Sequence, residues 1–108
     1  MNQNIETIII EDTNRLQHHI GIKDIVYLSY ESGVSIFFIA NGDNQILSPK
    51  PIMFWKKEFL KHGFCPINAD CIINPDYIKD TKKKHRRYIL LNNGKEFKVS
   101  RRQWYKIR

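Results

Sequence analysis

At 108 residues the chain has room for one domain, and 42% hydrophobic residues with 12% aromatics suffice for one modest core, which sets it apart from disordered sequences. Its net charge of +7 is unevenly placed: residues 1–54 carry 3 Lys/Arg against 6 Asp/Glu, whereas residues 55–108 carry 15 against 5. An acidic half joined to a basic one makes a directed field, and the commonest polyanionic partner of such a field is nucleic acid, with membranes and acidic proteins as alternatives.

In chain order, residues 6–10 form a short β-rich run broken by Asp12-Thr13-Asn14, and residues 17–20 supply the second strand of an opening hairpin. Residues 25–30 and 34–39 are rich in branched and aromatic side chains, with Glu31-Ser32-Gly33 as the turn between them. Asn41-Gly42-Asp43-Asn44 is a strong turn signal before a strand at 45–47. The period then changes. Ser48-Pro49 reads as an N-cap followed by proline at the first helical position. Ile52, Trp55, Phe59 and Leu60 form an apolar stripe at helical spacing, Lys56, Lys57 and Lys61 take the remaining face, and His62-Gly63 is a stop. This predicts one α-helix over about residues 49–62. Extended pieces follow at 64–67, 71–73 and 77–80, with Asn74-Pro75-Asp76 as a turn. Residues 82–87 read as a basic loop. Strands at 88–91 and 96–99 flank Asn92-Asn93-Gly94-Lys95, in which Asn93-Gly94 is the best hairpin signal of the chain. Residues 101–107 make a short C-terminal helical turn with Trp104 and Ile107 inward. The expectation is a mainly β single domain with its core over about residues 5–107.

The chemistry-bearing residues exclude more than they suggest. No nucleophile elbow, Gly-rich phosphate loop or H-E-x-x-H is present, so the chain reads as non-enzymatic and without a cofactor. His62, Cys65 and Cys71 lie close in sequence, but the cysteines are six positions apart rather than paired as in C-x2-C, and His18 and His19 point to opposite faces of a strand; no metal site is expected. Two cysteines are too few for a disulfide framework and read as reduced. No run approaches the roughly 20 apolar residues of a spanning helix. The polar Met1-Asn2-Gln3-Asn4 start lacks the order of a secretion signal, which points to the cytoplasm.

Two basic segments remain. Lys82-Lys83-Lys84-His85-Arg86-Arg87 has the density of a phosphate clamp, with Lys83 and Lys84 at its centre; its bland alternative is a solvated turn that protects a sheet edge. Ser100-Arg101-Arg102-Gln103 carries residue types that read bases, since Arg bonds guanine and Gln bonds adenine bidentately; its alternative is that one Arg, Arg101, packs across the fold onto buried carbonyls. Trp55, Phe59, Phe64 and Trp104 read as core. Tyr27, Tyr30 and Phe37 could offer a stacking platform only if exposed on a strand face.

Four segments, in order, resemble the LytTR-type DNA-binding domain of bacterial transcription regulators over about residues 5–107. They are Ile22-Lys23-Asp24-Ile25-Val26-Tyr27-Leu28 as a strand entry, residues 48–60 as a single helix, residues 64–78 (FCPINADCIINPDYI), and the closing Val99-Ser100-Arg101. The resemblance implies an elongated stack of small antiparallel sheets. It implies sequence-specific binding of double-stranded DNA by loops set in successive major grooves, at paired or direct-repeat sites occupied by two copies. It also implies a receiver or sensor domain in longer relatives; 108 residues leave no room for one, so the chain reads as a stand-alone regulator or a part of a longer one. By position, the contact loops fall at Glu31-Ser32-Gly33, Asn68-Ala69-Asp70, Arg86-Arg87 and Ser100-Arg101-Arg102. Ser100 and Arg101 then anchor the segment and reach phosphate, and Arg102 takes the base-reading position. One departure stands out: Ala69-Asp70 replaces polar or basic members of the family's triplet, so Asn68 alone keeps hydrogen-bonding capacity there. A protein-interaction module with a basic face and a single-stranded nucleic-acid binder are the alternatives.

Overall fold

A computed structural model describes residues 6–40, 45–83 and 87–107. The turn expected at 41–44 lies outside these. The described residues fold as three antiparallel sheets and two α-helices, with single 3-10 turns at Ile22–Asp24 and Pro75–Tyr77.

β1 (Thr7–Glu11) and β2 (Gln17–Gly21) form the opening hairpin in the expected place. Asp12 closes its turn: the carboxylate accepts from the backbone N–H groups of Asn14 and Leu16 and meets His18 Nε2 at 2.8 Å. The His18 bond, reinforced by the Leu16 N–H, holds the Asp12 carboxyl below the usual carboxylate range.

The central sheet contains β3 (Ile25–Glu31), β4 (Val34–Ile39), β5 (Gln45–Ser48), β6 (Cys65–Asn68) and β7 (Cys71–Ile73), in the order β5-β4-β3-β7-β6. A bulge at Val26 interrupts β3: Ile25 pairs with Ile39, yet Tyr27 already pairs with Phe38. The extra residue breaks strict alternation. Ile25 and Leu28 pack into one core with Phe37, Ile46, Trp55 and Phe59, whereas the neighbours Val26 and Tyr27 pack into a second with Ile67, Ile89, Leu91, Val99 and Trp104. The sheet is therefore covered on both sides. The opening hairpin and α1 (Ile52–Lys61) close the first core. The second is closed by β8 (Ile78–Lys83), β9 (Arg87–Leu91) and β10 (Glu96–Lys98), in the order β10-β9-β8, and by α2 (Arg101–Ile107).

The helix starts later than its sequence signals suggest. Ser48 ends β5 as a buried residue, and its hydroxyl accepts from Lys50 N and Trp55 Nε1, both at 3.2 Å. The N-cap is Pro51, with φ −69° and ψ 160° and no side-chain cap. Prolines at 49 and 51 force the preceding Ser48 and Lys50 away from helical backbone, so the helix cannot include Lys50, and with Pro51 extended it begins at Ile52. Ile52, Trp55 and Phe59 are buried as expected, but Leu60, one step round, is 46% exposed. The stop is a Schellman motif. Phe64 N donates to Phe59 O, Gly63 N to Leu60 O, and the Phe59 and Phe64 rings meet at 4.9 Å; Gly63 takes the left-handed φ of +84° that this closure needs.

The β9–β10 hairpin is not the two-residue turn that Asn93-Gly94 suggests. Gly94 alone has positive φ; Gly94 N bonds Leu91 O, and Leu91 N bonds Lys95 O. This is a three-residue loop with a glycine bulge, and Asn93 Oδ1 closes it by accepting from Lys95 N. Lys95 then ties the outer sheet to the central one. Its Nζ donates to Tyr27 Oη at 2.7 Å and lies 5.1, 5.2 and 5.6 Å from the rings of Tyr27, Phe38 and Phe97.

The outer edges of the central sheet are met from both sides. Thr13 N donates to Leu47 O on β5, and Ser100 N donates to Ile67 O on β6, a strand that also carries Pro66.

Candidate nucleic-acid interface

A chain of hydrogen bonds brings the segments expected to touch DNA to one rim of the molecule. β3 and β4 are joined by a tight turn in which Ser32 (φ +50°) and Gly33 (φ +84°) are both left-handed, the type I′ geometry that matches strand twist. Just before it, Tyr30 N donates to Asp70 O at 2.9 Å, joining this turn to the β6–β7 turn. Within that second turn Asn68 Oδ1 accepts from Asp70 N at 2.9 Å. Asn68 Nδ2 crosses to Lys98 O on β10 at 3.2 Å. From β10 the backbone continues through Val99 N to Arg87 O at 2.9 Å, and from Ser100 N to Ile67 O at 2.8 Å. Ser32, the 68–70 turn, Arg87 and the 100–102 segment thus form one connected edge.

Each expected contact residue has a distinct setting. Val99 is fully buried in the second core. Ser100 is the N-cap of α2: its hydroxyl accepts from Gln103 N at 3.3 Å, which leaves its own O–H proton free to donate. Ser100→Ala is expected to lower stability by about 1 kcal/mol through loss of this cap, read from the urea midpoint. Arg101 and Arg102 are both exposed on the first turn of α2. The alternative in which Arg101 packs onto buried carbonyls is therefore overturned; Arg87 does this instead, with Nε 3.4 Å from Val99 O.

Asn68 is half-buried and uses its oxygen and one amide hydrogen within the fold, so it holds the rim together as much as it faces outward. The basic segment at 82–87 is not all loop. Lys82 and Lys83 extend β8, Arg87 opens β9, and Lys83 pairs with Arg87. Strand pairing continues there because Thr81 and Tyr88, both good strand formers, carry the ladder outward. Lys84 and Arg86 lie outside the described residues.

Sequence reading passed over Lys98. It is exposed on β10 opposite Tyr88, and its carbonyl anchors Asn68. The alternation that turns Phe97 and Val99 inward was the signal for it.

The other chemistry-bearing groups are committed elsewhere. Tyr27 and Phe37 are buried and Tyr30 is half-buried, so the stacking platform that a single-strand binder would need is missing among the described strand faces. Cys65 and Cys71 are free thiols. Burial pushes the Cys71 thiol up to about 12 and raises Cys65 as well, which leaves neither as an activated thiolate. The His62 ring lies between two carboxylates, Nδ1 to Glu6 at 2.7 Å and Nε2 to Glu58 at 3.5 Å. Among the described residues no group of three or more His, Cys, Asp or Glu could hold a metal ion, and no helix is long and apolar enough to cross a membrane.

Comparisons with known proteins bear on the family and the fold. A family model described as the LytTr DNA-binding domain matches residues 16–108. Among solved structures, the LytTr DNA-binding domain of a Bacillus cereus response regulator superposes with a TM-score of 0.76, covering 94% of this chain and 93% of that one at 14% identity, a likeness of fold. No curated protein matches.

Proposed function

This chain belongs to the LytTR DNA-binding domain family, and from that premise we propose that it binds double-stranded DNA in a sequence-specific manner, setting the loops of its rim into the major groove. DNA binding in transcription regulation is the function of the family; the loop-by-loop mode is our reading. The observation that carries it is the continuous hydrogen-bonded edge from Tyr30 through Asp70, Asn68 and Lys98 to Arg87 and Ser100, which presents four separated segments together.

In this reading Arg102 reads a base edge, guanine being the favoured partner of its fork. Arg101, Arg87, Arg86, Lys83 and Lys84 meet phosphates, and Ser100 donates its free hydroxyl proton to one. Lys98 joins them from β10. Ser32 leads the β3–β4 turn toward the adjoining groove. Asn68 holds the rim, and its remaining amide hydrogen is available to DNA; with Ala69 beside it, recognition shifts toward Arg102 and the Arg86-Arg87 segment. Two copies on paired or direct-repeat sites, and control by a receiver or sensor domain in a longer protein, complete the proposal.

Gel shifts at modest salt with duplex, single-stranded and random competitors test it. A preference for particular duplexes supports the reading. Absence of duplex binding at micromolar protein would favour a basic protein-interaction module, and preference for single strands would favour the other alternative. Lys83→Ala is expected to weaken binding to all duplexes about equally and to reduce the slope of log affinity against log salt by about one unit, as one phosphate contact is lost. An unchanged slope would remove Lys83 from the interface.

A further inference from the structure

Two buried polar atoms on α2 have no hydrogen-bond partner among the described residues: the amide oxygen Oε1 of Gln103 and the indole Nε1 of Trp104. Elsewhere among the described residues the buried side-chain polar groups are answered. Ser35 donates to Lys50 O, Ser48 accepts two bonds, and Asn74 uses both ends of its amide. An enclosed carbonyl that water cannot reach and no donor meets is uncompensated, and in native folds such a group calls for a reason. Trp104 has one: it is 4% exposed, and its ring fills the second core. Gln103 does not. Its side chain is half-buried, its backbone N–H already serves the Ser100 cap, and a methionine would fill the same space without the unpaired oxygen.

We infer that Gln103 is a specificity-determining residue that is folded away in the free domain and turns outward onto DNA, where its amide pairs with the N6 and N7 edge of an adenine. This rests on the rim being the duplex interface and goes further, by naming a second base reader beside Arg102 and the base it takes. The position fits. Gln103 follows Arg102 on the first turn of α2, beside the exposed rim, so a change of side-chain rotamer moves the amide without moving the helix. The chemistry fits too. Glutamine offers one donor and one acceptor in the fork that adenine presents in the major groove, and no other base pair shows that pattern at the same place. Leaving a site where the amide oxygen has no partner lowers the cost of the outward turn.

The test is selection of duplexes from a random pool by the intact chain and by Gln103→Met and Gln103→Glu, with thermal melting of each free protein. Gln103→Met is expected to melt at or above the parent temperature, to lose an A·T preference at one position, and to bind the parent's selected site about 5- to 100-fold more weakly with random duplex unaffected. Gln103→Glu is expected to shift that position toward C·G, because a carboxylate accepts from cytosine N4. A Gln103→Met motif identical to the parent's, uniform weakening at every position, or a marked fall in melting temperature would each overturn the assignment. If the parent selects no motif, the duplex-reading proposal itself fails, an outcome distinct from any failure of Gln103.

Discussion

Phe37→Ala is expected to destabilise the domain by about 3–5 kcal/mol, the range for truncating a fully buried phenylalanine. Phe37 has no exposed surface and lies at the centre of the first core, its ring edge-on to Trp55 at 5.0 Å and tilted against Phe59 at 5.7 Å. Those neighbours come from a helix and cannot follow the lost ring inward without breaking the bond from Trp55 Nε1 to Ser48, so the cavity stays largely open. A domain of this size has roughly 5–15 kcal/mol of total stability, so the loss takes a fifth or more of it. Urea denaturation should show a lower midpoint with an unchanged slope. A fall below about 1 kcal/mol would mean that α1 collapses onto the sheet and that this core is softer than its packing implies. The folded fraction should keep most of its DNA affinity, because Phe37 faces α1 and the rim segments next to Ile67 and Val99 border the other core.

Arg102→Ala is the counterpart on the functional side. It is expected to weaken specific binding by about 1–3 kcal/mol and to relax preference at one base pair, while leaving stability within about 0.5 kcal/mol because the side chain is exposed. Random duplex should lose less. Equal losses on specific and random DNA would make Arg102 a phosphate contact and hand base reading to other residues of the rim. The pair of variants separates the two layers of the molecule: one alters stability without specificity, the other specificity without stability.

The architecture was legible in the sequence wherever a local rule had no competitor. The opening hairpin, the Glu31–Gly33 turn and the His62-Gly63 stop follow from turn and capping chemistry and stand where expected. Rules failed where two applied at once. Ser48-Pro49 satisfies the pattern of a helix start, but Pro51 forbids helical backbone at Lys50, and the second constraint wins. Asn93-Gly94 satisfies the pattern of a two-residue turn, but Asn93 keeps negative φ and uses its side chain to close a longer loop. Leu60 matches the apolar stripe by type, yet lies about 100° round from Phe59, beyond the contact face.

The candidate site was legible as residue types and not as a surface. Charge and the Ser100-Arg101-Arg102 segment are visible in one dimension. That Asn68 reaches β10, that Arg87 rather than Arg101 bonds the Val99 carbonyl, and that Gln103 carries an unpaired oxygen all depend on contacts between residues far apart in the chain or on burial, neither of which spacing encodes.

The sheet edges carry a last consequence. The proposed binding of two copies side by side would hold the domain at high local concentration, the condition under which open strand edges join and grow into aggregates. Here Thr13 N occupies the Leu47 carbonyl on β5, and Ser100 N occupies the Ile67 carbonyl on β6. Both outer edges of the central sheet thus have a carbonyl already taken by the chain itself, so copies paired as proposed would meet edges that are less free to zip together, and Ser100, which caps α2, is part of that protection.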